Sequence, residues 1–370
     1  MQRLILIAGF LGAVGLLAVG VWSYGYRQAL DSLSLQAEGD LELAAERLSA
    51  ELQRYQETAV LMADHPILAE LNDPARLAMA QDILLDVADK TSALDVFYVD
   101  GTGRVLVSAH GAGASSVAGE GYFQRAMQGA LGSAHGLFRP SGLRAYYYAA
   151  PDFGPDGKVR GALVVVADIA GVEWDWRGST PAVLFTDNRG EVFISNRSEL
   201  LFWRRPEPGA GLIPPEGDPK PFRESRVGRH EIWQVGWGPY LPRSALHLTQ
   251  DLPVIDMTGE VLVSVAPSQR LALLQAAAVA AICLAFGAML FLATERRRTL
   301  AQANAVLESR VAERTRAVTA TNTQLRREIA ERQDAEAALK RAQADLVQAG
   351  KLSALGQMSA GISHELNQPL

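Results

Sequence analysis

The chain holds a single cysteine, Cys283, which excludes an intramolecular disulfide framework. No Cys or His residues stand at metal-ligand spacing, so the string gives no zinc or iron site. Cys283 lies inside an apolar run and reads as a small packing residue, not a reactive thiol. A basic field is also missing. The net charge is −6, which argues against a nucleic-acid partner. Two stretches lack charge altogether, Leu4 to Trp22 and Leu271 to Thr294. A helix over each would cross roughly 30 Å of hydrocarbon at about 1.5 Å per residue. The first run is longer than the apolar core of a signal peptide, and no clear Ala-x-Ala site follows it. It reads as an anchor rather than a leader.

The 370 residues are too many for one ordinary domain. Arg296, Arg297 and Arg298 abut the second apolar run and predict that this end stays cytoplasmic. Two spans then place the N-terminus, with Arg3, in the cytoplasm as well. Residues from about Arg27 to Arg270 fall outside, in the periplasm of a cell with two membranes. The expected location is the inner membrane, crossed twice.

Beyond the first span, Leu33, Ala37, Leu41, Ala44, Leu48, Leu52 and Tyr55 recur at threes and fours, predicting a stalk helix from Asp31 to Ala63 with Gly39 as a weak spot. His65-Pro66 and Asn72-Asp73-Pro74 mark breaks. From Leu94 the period changes. Asp95 to Val99 and Arg104 to Ser108 read as strands around an Asp100-Gly-Thr-Gly103 turn. Gly121 to Met127 reads as helix; Arg144 to Ala150 and Gly161 to Asp168 read as strands. The wording then returns: strand Ala182 to Thr186, turn Asp187 to Gly190, strand Glu191 to Ser195. A third copy is expected as strand Val254 to Met257, turn Thr258-Gly259 and strand Glu260 to Val265. Phe202 to Pro242, rich in Pro, Gly, Arg and Trp, predicts loops and short strands, with Trp203, Trp233 and Trp237 as packing residues. The recurrence predicts two α+β modules in tandem, each on an antiparallel sheet.

The expected order is a cytoplasmic N-terminus (1–3), first span (4–26), stalk helix and connection (27–90), membrane-distal module (91–178), membrane-proximal module (179–268) and second span (271–294). A signalling linker (295–348) and the start of a phosphotransfer domain (349–370) follow. The linker has neither Pro nor Gly from Thr299 to Gln348. Val311, Val318, Leu325, Leu339 and Leu346 share one seven-residue register, interrupted by Arg332. The companion seam of Thr315, Asn322, Ile329, Glu336 and Gln343 is mostly polar. A weak parallel two-helix rod, and hence a homodimer, is expected; a solvated single helix is the other reading.

The last residues carry the chemistry. Leu352, Leu355, Met358, Ile362 and Leu366 mark one helical face. His364 lies off that stripe, so its imidazole can point to solvent, where a substantially neutral ring is a nucleophile. Glu365 beside it can orient one ring nitrogen and leave the other free. Pro369 removes a backbone donor and predicts a bend. The string Lys351-Leu-Ser-Ala-Leu-Gly-Gln-Met-Ser-Ala-Gly-Ile-Ser-His364-Glu365-Leu-Asn-Gln368-Pro-Leu370 resembles the phosphoacceptor box of the sensor histidine kinases of two-component systems. The resemblance implies that His364 takes the γ-phosphoryl of ATP and passes it to an aspartate of a response regulator. It gives Glu365 an acid/base role, and Gln368 the positioning of water for dephosphorylation. The Asn- and Gly-rich boxes of that family's ATP-binding domain are absent up to Leu370. ATP and magnesium are therefore expected to bind a longer parent protein, and no cofactor this chain.

The outer region resembles the C4-dicarboxylate sensor kinases with tandem Cache (PAS-like) periplasmic modules. The matching residues are Tyr122-Phe123, Ala126, Gly129, Ser141-Gly-Leu-Arg144-Ala-Tyr146-Tyr147-Tyr148, Gly161 to Asp168, Glu173 and Trp176. The resemblance implies a small-molecule ligand in the distal module, held by Ser141, Arg144, Tyr146, Tyr148 and Tyr122. An Arg144 guanidinium suits a carboxylate, and strand alternation puts Arg144, Tyr146 and Tyr148 on one face with Tyr147 on the other. Glu120 and Val166 stand where that family has cations. A desolvated dianion needs both charges compensated, so a monocarboxylate, an amine-bearing acid or another small solute is also open. Ligand binding is expected to shift the stalk, second span and linker between two states. The alternatives are a chemoreceptor-like signalling protein without kinase chemistry, and an anchored solute-binding module.

Overall fold

The computed structural model describes residues 2–365 except 70, 72, 112–114, 140, 208 and 209, with side chains described between 4 and 353. The chain forms two units, Met1–Ala281 and Ile282–Leu370.

The first unit is built on helix α1 (Gln2–Ala63). Its outer half carries Leu30, Ala37, Leu41, Ala45, Leu48, Leu52, Tyr55 and Ala59, none more than 2% exposed. Steps of three and four keep these side chains on one face over many turns. Gly39 does not interrupt the helix. Helix α2 (Pro74–Thr91) starts where a break was expected. Asp73 caps it by accepting from the Ala75 N–H at 3.2 Å, with Pro74 in the first turn.

Strands β1 (Ala93–Asp100), β2 (Val105–Ser108), β3 (Gly132–Phe138), β4 (Leu143–Phe153) and β5 (Val159–Asp168) form one sheet in the order β2-β1-β5-β4-β3, with every neighbouring pair antiparallel. Helix α3 (Gly121–Met127) covers one face; α1 and α2 cover the other. A short helix α4 (Ile169–Glu173) leads to the second sheet. That sheet holds β6 (Ala182–Asp187), β7 (Val192–Ser195), β8 (Phe222–Val227), β9 (His230–Val235), β10 (Ser244–Leu252) and β11 (Met257–Ser264), in the antiparallel order β7-β6-β11-β10-β9-β8. The same strand order therefore occurs twice, with β8 added at one edge.

The repetition extends to single atoms. The Asp100 carboxylate accepts from the N–H groups of Thr102 and Arg104 at 2.9 and 3.0 Å. Asp187 accepts from Arg189 and Glu191 at 2.9 and 2.8 Å. Gly103 (φ 84°) and Gly190 (φ 75°) take the left-handed position that closes each turn. Each hairpin also carries a register shift in its first strand, at Tyr98/Val99 and at Phe185/Thr186.

The expected third hairpin is absent. The turn lies earlier, around Ile255 and Asp256 (φ 52°), and β11 runs straight through Thr258-Gly259. A Cβ on Gly259 would come within 3.2 Å of both Leu41 Cδ1 and Phe185 Cε1. The glycine makes room for α1 against the strand and does not mark a turn.

The two sheets share α1 as a rear wall, so one core cluster contains Tyr146 and Val165 from the first and Phe185 and Val261 from the second. The far face of the second sheet holds Trp203, Trp233 and Trp237 with Leu200 and Leu262, as packing residues. The first expected span lies at the start of α1, where Leu4, Leu6 and Leu16 are at least 73% exposed. The second lies in α5 (Ala266–Glu365), which continues into the second unit. Both helices are long and apolar enough to cross a membrane. Along the linker part of α5, Val311, Val318, Leu325, Leu339 and Leu346 are each half exposed or more.

A charged cluster sits inside the second sheet. Glu260 is fully buried. It is held by His247 Nε2 at 2.9 Å and Arg205 Nη2 at 2.6 Å. The other His247 nitrogen lies 2.9 Å from Glu231. Burial pushes the Glu260 carboxyl up, but His247 and Arg205 together hold it below the usual range. The stability it supplies is therefore present above the unfolded value of about 4.3 and is lost as pH falls through the lower folded value. In thermal unfolding between about pH 6 and pH 3, Glu260→Gln is expected to flatten the acid-induced fall in unfolding temperature. An unchanged slope refutes the assignment.

Candidate functional site

The alternation along β4 sorts the tyrosines. Tyr146 and Tyr148 face α1 and are buried in the shared core. The Tyr146 hydroxyl donates to the Ile255 carbonyl at 3.0 Å. Tyr147 faces α3. Its ring stacks on Tyr122 with centroids 5.0 Å apart and planes 1° from parallel. The pair floors a pocket of about 460 Å³ between β3, α3 and the segment before α3. Phe97, Val117, Ala134, Leu137 and Phe138 give it apolar walls; Ser116, Glu120, His135 and Arg139 give it polar ones.

Burial pushes the Tyr122 hydroxyl well up and the Tyr147 hydroxyl up to about 12, with Glu120 adding to both and Arg139 opposing. Both phenols thus stay protonated at neutral pH. Tyr147 donates to the Leu137 carbonyl at 3.3 Å. The pocket presents one guanidinium, Arg139, and one carboxylate, Glu120, with no ion pair between them among the described residues. An apolar cleft with a few convergent polar groups is the form of a small-molecule site.

Of the five residues expected to hold a ligand, one, Tyr122, lines this pocket. Ser141 lies in the β3–β4 turn, where its hydroxyl accepts weakly from the Leu143 N–H at 3.4 Å. Tyr146 and Tyr148 point to the opposite side of the sheet. Arg144 is buried and already committed. Its two terminal nitrogens meet the Glu173 carboxylate at 2.6 and 2.7 Å, and Nη1 also donates to the Phe193 carbonyl at 2.7 Å. Glu173 accepts from the Ser195 N–H at 2.9 Å. The fork suited to a carboxylate is filled by the protein's own acid, and it ties the first sheet to β7. Tyr147, set aside as the odd face, belongs to the pocket, with Arg139, His135 and Glu120. The signal was present in the alternation, but which face stays open depends on where α1 packs. Val166, opposite Tyr147 in β5, is buried in the core under α3.

His135 joins the pocket to the second sheet. It lines the cavity, packs tilted at 53° against Phe193 with ring centroids 4.6 Å apart, and places Nε2 3.3 Å from Asp187. The side chains of His364 and Glu365, and the whole of Gln368, lie outside the described residues.

No protein-family model matches the chain. It is 32% identical over 96% of its length to the C4-dicarboxylate transport sensor protein DctB of Pseudomonas aeruginosa, and 28% identical over 97% to that of Rhizobium meliloti. It spans 60% and 62% of the length of these curated relatives. The sensor domain of the V. cholerae histidine kinase DctB has the same fold, with a TM-score of 0.53 at 20% identity, covering 63% of this chain and 98% of that one.

Arg144→Ala is expected to destabilise the first unit by about 3–5 kcal/mol, because it strands a buried carboxylate. The double change Arg144→Met with Glu173→Gln should recover most of that loss in denaturant unfolding. If the single variant is as stable as wild type, the tie is not structural.

Proposed function

Starting from its kinship with the C4-dicarboxylate transport sensor proteins over nearly its whole length, we propose that this chain is the sensing and transmitting part of a transmembrane sensor histidine kinase. The observation that carries the reading is the sequence match. It runs through the outer unit and past the second apolar helix, and covers 96% of the chain. The sensor modules are tandem Cache-type units in the periplasm. A small carboxylate-bearing solute binds the distal pocket, floored by Tyr122 and Tyr147. Arg139 meets the carboxylate, and the protonated Tyr122 phenol donates to it.

Glu120 narrows the ligand. A dianion in this pocket would meet one cation and one anion, leaving a charge uncompensated. A monocarboxylate, or an acid with an ammonium group opposite Glu120, is matched instead. Binding tilts the β3–β4 hairpin, whose far side carries Arg144 and His135, and so reaches the second sheet and α1. Paired α1 and α5 helices of a homodimer carry the shift inward along the weak Val311–Leu346 seam. There His364 attacks the γ-phosphorus of magnesium-bound ATP, which is held by the parent protein's own ATP-binding region. The bond from γ-phosphorus to the bridging oxygen breaks, ADP leaves, and the phosphoryl group passes on to a response-regulator aspartate. Glu365 orients the imidazole, and Gln368 positions water for the reverse reaction at the regulator.

In membranes containing the parent protein, labelled ATP should mark the chain, and His364→Gln should abolish the label. Tyr147→Ala should leave basal labelling intact and remove its response to ligand, found by screening succinate, short monocarboxylates and amino acids. Labelling of the His364→Gln variant at the wild-type level refutes the phosphoacceptor. A Tyr147→Ala variant that still responds refutes the pocket.

A further inference from the structure

Among the described residues of the first unit two arginines are buried, and only one has a partner there. Arg144 is 8% exposed and forks onto Glu173; Arg197 is 7% exposed and has no hydrogen bond or ion pair from its side chain among the described residues. Its Nε is sealed from solvent with nothing to donate to. The half-buried arginines follow the Arg144 pattern, Arg160 pairing with Asp152 and Arg205 with Glu260. Arginine cannot shed its proton to escape burial. A buried charge without a counter-ion is destabilising, and here it is Nε that is sealed and unpartnered. The backbone holds Arg197 in place, since its N–H donates to Ser195 Oγ at 3.0 Å and the preceding Asn196 is bonded to the Pro181 carbonyl at 2.7 Å.

This guanidinium lines a cleft of about 510 Å³, separate from the Tyr147 pocket. Leu33 and Asp40 of α1 form one wall; Pro181, Tyr240 and Leu241 form much of the rest. The lining is largely aliphatic and proline-rich. Asp40 makes no ion pair with Arg197 among the described residues. It would repel a second negative group. One buried cation, an apolar wall and a single acid across the cleft select a monoanion with an apolar body over a dianion.

We infer that this cleft between α1 and the second sheet is a second ligand site, which takes a small apolar monocarboxylate with its carboxylate on Arg197. Such a ligand clamps α1 to the membrane-proximal module just outside the first span, and so sets how stiffly the two move together.

The test uses the full chain in detergent, with hexanoate and benzoate as probes and adipate as the dianionic control. Binding is read by calorimetry and by thermal unfolding in Tyr147→Ala, which removes the distal pocket, and in Tyr147→Ala with Arg197→Met; unfolding without probe compares wild type and Arg197→Met. Hexanoate or benzoate should bind Tyr147→Ala and adipate should not. Adding Arg197→Met should weaken that binding at least about tenfold. Without probe, Arg197→Met should melt at or above the wild-type temperature, because it loses an uncompensated charge. The inference is overturned if neither probe binds Tyr147→Ala at millimolar concentration or if adipate binds it as tightly as hexanoate. It is equally overturned if Tyr147→Ala with Arg197→Met keeps the affinity of Tyr147→Ala, or if Arg197→Met melts well below wild type without probe.

Discussion

The structure depends on one stripe of side chains, the buried face of α1 from Leu30 to Ala63. Both sheets need an apolar surface to cover one face, and α1 supplies it to both. The two modules therefore cannot move against each other without disturbing the same helix. That helix is also the first apolar span. A local change in either sheet therefore bears on the same helix, because close-packed interiors transmit strain rather than absorb it.

Polar contacts make the coupling specific. Arg144 and Glu173 bind β4 to β7, His135 reaches Asp187, and the Tyr146 hydroxyl reaches Ile255. All three start from the β3–β4 hairpin, whose other side floors the pocket. At the far end, Asp31 of α1 is gripped by His230 and Arg229 from the β8–β9 hairpin. The pocket is therefore linked to the stalk through the second module as well as directly. A salt bridge such as Arg144–Glu173 adds little net stability over an apolar pair, but it penalises any arrangement that separates its partners.

Much of the fold was legible because its signals are local. The Asp100 and Asp187 turns follow from side-chain acceptance of nearby N–H groups and a left-handed glycine, which need no knowledge of the rest of the chain. The α1 stripe follows from its period, and the bounds of α3 were read correctly. Strand β3 and strand β10 were missed. Both owe their pairing to partners far along the chain, as with β10 on β9 and β11. Gly259 misled for the same reason. In sequence a glycine after threonine reads as a turn, whereas in space it is the gap that Leu41 fills.

The residues by themselves determined the alternation that separates Tyr147 from Tyr146 and Tyr148, the two apolar spans, and the tandem repetition of strand, turn and strand. Periodicity and turn chemistry are properties of neighbouring residues, so they survive without coordinates. Only the tertiary structure decided which face of β4 is pocket and which is core, that Glu173 occupies the guanidinium of Arg144, and that Arg197 has no such acid among the described residues. Those outcomes turn on which charged groups folding brings within hydrogen-bonding distance, and burial then makes each pairing, or its lack, energetically decisive.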